Sequence, residues 1–185
     1  MEKRLLLLTG DPGVGKTTVL FRVVDALKGR GYAVGGMVSR EVRSGGVRTG
    51  FEILDLSTGK HGWLASVDQT LGPQVGRYHV HLMDLNSVGV GAILRAVQNF
   101  DIVAVDEIGP MELFSEKFRD AVKKALDSNK LVIGTVHGKA RDKFVEEVKT
   151  RPDAEMCVVT CDNREHLHEV LTGKAVDFLS RTIAK

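Results

Sequence analysis

Long apolar runs are missing from this chain. The first one, Leu5–Leu8, is four leucines, against the roughly 20 residues that span a bilayer. Neither a membrane span nor a secretory leader is expected, and the expected location is the cytoplasm. Cysteine is almost absent as well. Cys157 and Cys161 share the apolar stretch Met156-Cys-Val-Val-Thr-Cys, which reads as two reduced, mostly buried thiols. Two cysteines alone fall short of a structural zinc site. Aromatic residues make up only 5%, and the net charge is +2 with no basic block. That leaves little for base stacking or phosphate tracking, so nucleic acid is not an expected partner. Asn and Gln are also scarce: Asn86, Asn99, Asn129 and Asn163 with Gln69, Gln74 and Gln98, beside 27% charged residues. This balance leans towards a thermophilic source. Internal repeats and low-complexity tracts are lacking.

What remains is a chain of 185 residues, 43% of them hydrophobic. It is long enough for one domain over 1–185 with a proper core. Its organising stretch is Gly10-Asp11-Pro12-Gly13-Val14-Gly15-Lys16-Thr17. The spacing fits G-x-x-x-x-G-K-[ST], the phosphate-binding P-loop. Leu5–Thr9 before it reads as a buried strand. Leu20, Val23, Val24 and Leu27 after it have helical spacing. The glycines therefore stand between a strand and a helix start, where successive N–H groups can form an anion nest. Lys16 adds positive charge for the β- and γ-phosphates, and the Thr17 hydroxyl is placed for Mg²⁺.

Further along, Gly29 and Gly31 stop the first helix, and Val34–Arg40 predicts a second strand. Residues 41–83 differ in kind. Short alternating runs (Phe51-Glu-Ile-Leu-Asp-Leu, Gly62-Trp-Leu-Ala, Tyr78-His-Val-His-Leu) are parted by Ser44-Gly-Gly and Ser57-Thr-Gly. They predict an antiparallel β-rich excursion of two or three strands. Leu85–Asn99 predicts a helix weakened by Gly89 and Gly91. Then come a strand from Ile102, a helix capped by Ser115, a strand Leu131–Val136, a charged exposed helix Lys139–Lys149 and a strand Met156–Thr160. A helix starting at Asn163 carries Leu167, Val170 and Leu171 inward. Gly173 is expected to interrupt it before a last turn or two with Val176, Leu179 and Ile183. Alternating strands and helices imply an α/β fold, a mostly parallel sheet with helices on both faces.

The second chemical signal is Ile102-Val103-Ala104-Val105-Asp106-Glu107, four apolar residues ending in an acid, the Walker B pattern. A carboxylate at the carboxyl end of a strand beside the P-loop can hold Mg²⁺, which assigns Asp106. Glu107, the next residue, can orient and deprotonate a water aimed at the γ-phosphate. Thr135 ends the following strand and suits either a γ-phosphate sensor or a hydroxyl spent on a backbone group. A transition-state arginine is expected, with Arg48, Arg77, Arg141 and Arg164 as candidates; Arg164 can also stack on a base. His79 and His81 fall on one strand face, two potential ligands without a third, and a solvated face is the better reading.

Three phrases carry a resemblance: Gly10-Asp-Pro-Gly-Val-Gly-Lys-Thr-Thr, Val105-Asp-Glu-Ile-Gly-Pro-Met-Glu-Leu113 and Asp162-Asn-Arg-Glu-His-Leu167. With Arg48-Thr-Gly-Phe51 and Val75-Gly-Arg-Tyr78, they are similar to the cancer-related nucleoside-triphosphatase family of thermophilic-type phosphohydrolases, from Arg4 to about Leu171. The tail beyond Leu171 has no assigned role. The resemblance implies a RecA-like P-loop fold with an extra strand between the P-loop strand and the Walker B strand. It implies hydrolysis of nucleoside 5′-triphosphates (ATP, GTP, CTP, UTP and others) to diphosphate and phosphate with Mg²⁺. Gly10–Thr17 and Ile102–Gly109 (with Ile108) would line the nucleotide, with Lys16 and Glu107 catalytic. Two other readings compete: a small-molecule or nucleotide kinase, although 41–83 lacks a clustered Arg-x-x-x-Arg segment, and a nucleotide-gated regulatory module.

Overall fold

A computed structural model describes residues 3–183; the side chain of Ile183 lies outside the described set. The elements follow in order. β1 (Leu5–Thr9) leads into α1 (Lys16–Gly29), and β2 (Val34–Ser44), β3 (Val47–Asp55), β4 (His61–Ser66), β5 (Gln74–Val75) and β6 (Tyr78–Val80) come next. A helix labelled α2 (Leu82–Asp84) continues through a π-helical stretch, Leu85–Val90, into α3 (Gly91–Asn99). Then come β7 (Ile102–Ile108), a 3₁₀ turn Glu112–Phe114, α4 (Glu116–Asp127), β8 (Leu131–Val136), α5 (Lys143–Lys149), β9 (Ala154–Val158) and α6 (Leu167–Ile183).

All nine strands form one sheet in the order β5-β6-β4-β3-β2-β7-β8-β1-β9. From β2 to β9 the pairs are parallel, and from β3 outwards they are antiparallel. The strand between the P-loop strand and the Walker B strand is β8, as the resemblance implied. Parallel strands share their carboxyl ends, so the turns after β1, β7 and β8 meet at one edge of the sheet.

The leucine run shows why the sheet is buried on both faces. Leu5 and Leu7 join the core with Met37, Ile53, Val105 and Phe118, while Leu6 and Leu8 join the opposite core with Leu20, Leu27 and Leu171. All four are at most 1% exposed. Such burial contributes roughly 1.5–3 kcal/mol per side chain, and it fixes β1 in register.

Several expectations need correction. β2 runs past Arg40 to Ser44, so the excursion does not begin as a separate piece; the far half of β2 is its first strand, pairing with β3 as a hairpin. α5 starts at Lys143 rather than Lys139, because the Asp142 carboxylate accepts the Phe144 N–H at 2.8 Å and caps it there. It is not wholly exposed, since Val145 and Val148 are buried. β9 is Ala154–Val158, shifted two residues from the expected strand. Asn163 makes a turn, its side chain accepting from the Thr160 N–H, and α6 begins only at Leu167. Gly173 does not interrupt α6. It faces solvent with no neighbour near its missing Cβ, so its propensity cost of about 1 kcal/mol is outweighed by Leu171, Ala175 and Leu179 packing on α1. Val170 turns outward, 53% exposed. Both cysteines are free, but Cys161 is exposed rather than buried. His79 and His81 do not share a strand face, because β6 ends at Val80; His81 instead meets the Ser66 hydroxyl at 2.9 Å.

Candidate active site

The P-loop takes the conformation its glycines permit. Gly10 has φ 148°, and a Cβ there would stand 2.7 Å from the Val159 carbonyl oxygen; Gly15, at the N-terminus of α1, has φ 112°. Side chains resist both positions. The Lys16 ammonium lies over the loop, donating to the Gly10 and Asp11 carbonyls at 3.3 Å each. Its Nζ is 3.8 Å from Glu107 Oε1. Phosphate oxygens would replace those carbonyls as partners for the same cation.

Asp106 is the centre of the polar floor. Its carboxylate accepts from the Thr17 hydroxyl at 3.0 and 3.2 Å and from the Thr135 hydroxyl at 2.5 Å. The Ser39 hydroxyl and N–H approach at 3.3 and 3.4 Å. Burial raises its pKa, and the hydrogen bonds from Thr135, Thr17 and Ser39 oppose the rise. The donors come from α1, β2 and β8, and the group is all hard oxygen, the chemistry that suits Mg²⁺. The Thr135 hydroxyl donates to the Asp106 carboxylate rather than to a backbone group.

Glu107 follows through a cis peptide bond, and the pairing of β7 with β8 slips between Val105 and Ile108. Asp106 is 1% exposed at the floor of the cleft, while Glu107 is half-buried along its wall. Burial pushes the Glu107 pKa up to about 7; Lys16 opposes this and the Asp106 charge adds to it. Its Oε1 is buried without a hydrogen-bond partner. An acid with these properties can take a proton near neutral pH.

These groups line a cleft of about 500 Å³. Gly10, Pro12, Gly13, Gly15, Lys16 and Thr17 form its P-loop side. Asp11 instead pairs with Lys139 at 3.0 Å at the exposed rim, and the Val14 carbonyl accepts from Arg164 at 3.4 Å. Of the segment Ile102–Gly109, only Asp106 and Glu107 reach the cleft. Ile102, Val103, Ala104, Val105 and Ile108 are 0% exposed and belong to the core; Gly109 stands beside the Glu107 carboxyl. Among the arginines, Arg48 lines the cleft, and Arg164 belongs to a separate depression with Gly15, Thr18, Val19, Arg22 and Glu165. Arg77 packs over Tyr78 and donates to the Arg48 carbonyl, and Arg141 is exposed away from the cleft.

Three lining residues escape a reading of motifs. Glu112 is 4% exposed, and burial together with the nearby Glu107 charge raises its pKa well above the usual carboxylate value. The signal available was its setting between Met111 and Leu113. His137 follows β8, with Nδ1 buried and unpartnered. Burial and the Lys16, Lys149 and Lys139 charges lower its pKa, which keeps it neutral. Ser39 ends the parallel part of β2, next to the Walker B strand. Among the described residues no helix is long and apolar enough to cross a membrane, and no group of three or more His, Cys, Asp or Glu is arranged to hold a metal.

Comparison with known proteins agrees with this geometry. A family model described as NTPase matches residues 5–172. The nucleoside-triphosphatase THEP1 of Thermofilum pendens is 46% identical over 98% of this chain and 100% of its own length. That of Methanothermobacter thermautotrophicus is 43% identical over 88% and 91%. The crystal structure of THEP1 from Aquifex aeolicus superposes with a TM-score of 0.82 at 33% identity, covering 90% of this chain and 96% of that one. The solution structure of a human cancer-related nucleoside triphosphatase gives 0.77 at 35% identity, covering 92% and 96%. With a P-loop, a Walker B acid pair and matches along nearly its whole length, the chain belongs to the NTPase family.

Proposed function

We propose that this chain, as one P-loop domain, hydrolyses nucleoside 5′-triphosphates to diphosphate and inorganic phosphate with Mg²⁺, in the cytoplasm. Lys16 and the Gly10–Thr17 amides grip the β- and γ-phosphates. Thr17 and Asp106 would hold Mg²⁺, which when bound neutralises charge on the phosphate oxygens. Glu107 takes the proton of the attacking water. The Thr17, Thr135 and Ser39 hydroxyls donate to Asp106 and oppose the rise that burial gives its pKa, whereas the Oε1 of Glu107 has no such donor. The observation that carries the reading is Glu107 itself: a cleft-lining carboxyl with an unpartnered oxygen, a pKa of about 7 and the P-loop lysine 3.8 Å away. Supporting it are the relatives named nucleoside-triphosphatase.

The test incubates purified protein with ATP, GTP, CTP and UTP separately, with Mg²⁺ or with excess chelator, and measures inorganic phosphate with no acceptor present. Release from several triphosphates, lost on chelation, is expected. Tight nucleotide binding without any phosphate release would make the protein a nucleotide-gated module instead.

A further inference from the structure

The turn after the Walker B strand brings a third carboxyl to Asp106 and Glu107. The Leu113 N–H donates to the Gly109 carbonyl at 3.0 Å, which folds the chain back on the end of β7. Arg119 holds the turn from α4, donating to the Leu113 carbonyl at 2.9 Å while paired with Asp142 at 2.9 Å. The Glu112 side chain is thereby returned to the cleft wall, 4% exposed. Burying an acid is costly, and none of the roles assigned so far uses this one. The neighbouring charges that act on it are those of Glu107 and Asp106, both negative, and with burial they keep its proton on.

Gly109 marks where Glu112 meets Glu107. A Cβ on Gly109 would stand 3.2 Å from Glu107 Oε2 and 3.4 Å from Glu112 Oε2. Both oxygens thus border one vacancy, which the missing side chain keeps open. The backbone N–H groups of Glu107 and of Glu112 itself also face the Glu112 carboxyl. One of its oxygens can accept from the main chain while its O–H is left to donate. The two oxygens of Glu107 differ in setting. Oε1 is 3.8 Å from Lys16 Nζ and has no hydrogen-bond partner; Oε2 lies on the side of Gly109 and Glu112.

We propose that Glu112 is a positioning residue for Glu107: its carboxyl donates across the Gly109 gap to Glu107 Oε2 and so turns Oε1 towards the water that attacks the γ-phosphate. This rests on the base role given to Glu107 in the proposed function. A carboxyl held at one oxygen presents the other in a fixed direction, and a base held by a supporting hydrogen bond is already in place when the water arrives. Catalytic hydrogen bonds of this kind tighten when the substrate is bound. The water's proton goes to Glu107 Oε1, and Glu112 keeps its own. Glu112 acts through Glu107 and not on the substrate.

The experiment measures steady-state ATP hydrolysis with Mg²⁺, and binding of a non-hydrolysable triphosphate by calorimetry, for wild type and a set of variants. Glu112→Gln keeps the length and an N–H donor, so its kcat should stay within about threefold of wild type. Glu112→Met keeps the length and loses the donor. Its kcat should fall roughly tenfold to a hundredfold, since a small misplacement of a reacting group costs that much. KM and triphosphate affinity should not change. Replacing a buried acid by an apolar side chain should not destabilise the fold, which denaturant unfolding checks. Gly109→Ala fills the gap between the two carboxyls at a backbone conformation without positive φ, and should lower kcat in the same way. In the Glu107→Gln background, Glu112→Met should add almost nothing, because the two act as one unit.

A folded Glu112→Met variant with wild-type kcat overturns the proposal. So does Glu112→Gln losing as much as Glu112→Met, or a double variant in which the two losses multiply. Should Glu112→Met fail to fold, wild-type kcat in Gly109→Ala overturns it instead. Absence of phosphate release from the wild type would overturn the triphosphatase reading and this proposal with it, whereas an active wild type with an equally active Glu112→Met overturns the positioning role alone.

Discussion

Replacing Glu107 by Gln keeps the shape of the side chain and removes both its charge and its ability to take a proton. Two consequences follow from the same buried carboxyl. The first is kinetic. Loss of a positioned general base costs roughly 10²- to 10⁴-fold in rate, or about 3 to 5 kcal/mol of barrier. Triphosphate binding should persist, because the P-loop and Asp106 are intact. The second is a change in stability with a definite sign. Burial raises the Glu107 pKa from 4.5 to about 7. The folded state therefore holds a proton that the unfolded state has lost between those two values, and stability falls as pH rises through that window. The displacement corresponds to roughly 3 kcal/mol. Glu107→Gln should accordingly match wild type below pH 4.5 and be more stable at pH 8, by up to about 3 kcal/mol. Wild-type kcat/KM should rise with pH through an apparent pKa near 7, and this limb should vanish in the variant. Single-turnover hydrolysis, calorimetry with a triphosphate and denaturant unfolding at pH 4 and pH 8 check each part. Single-turnover hydrolysis within about threefold of wild type, under 1 kcal/mol, would remove Glu107 from the mechanism. Equal stability at pH 8 would show that the carboxyl is not held in the desolvated setting described.

Other perturbations separate the remaining roles. Lys16→Ala should weaken triphosphate binding and abolish turnover together, and unchanged affinity by calorimetry would place the lysine away from the phosphates. Asp106→Asn should raise the Mg²⁺ concentration for half-maximal activity at least tenfold in a metal titration, with an unshifted titration refuting a metal role. Glu112→Gln should raise the denaturation midpoint at pH 8 but not at pH 4, because burial holds the Glu112 carboxyl protonated in the fold; a midpoint gain of equal size at both pH values would mean its charge is not the cause.

How much of this was legible in the sequence depends on distance along the chain. The P-loop reads directly because its strand, turn and helix are consecutive, and the Leu5–Leu8 run shows burial on both faces without any partner being known. Asp106 and Glu107 are legible as a strand end carrying two acids. What stabilises Asp106 is not legible, because Ser39 is 67 residues away, Thr17 is 89 and Thr135 is 29. Only the order β2-β7-β8-β1 brings their hydroxyls to one carboxylate. Gly173 misled for the opposite reason: its local propensity is real, but three side chains packed on α1 decide the helix. Neither Lys139 nor Asn163 starts a helix, because the Asp142 cap and the Asn163 turn rest on specific hydrogen bonds that composition does not reveal.

The β2–β3 side of the cleft shows the same dependence most fully. Phe51 and Glu41 read in sequence as unremarkable positions of an alternating β excursion. They become a wall because β2 continues past the parallel sheet and turns back as β3, with Glu41 opposite Phe51. The same continuation puts Ser39 on Asp106 and Glu41 two residues further along the strand, both on one face. A single strand thus supports the Asp106 carboxylate through Ser39 and presents the Glu41 carboxylate to the cleft. Any change that shifts β2 by one residue would turn both side chains to the opposite face and remove both contacts at once. The excursion is therefore tied to the phosphate site through strand register, which is a constraint that no motif in the sequence expresses.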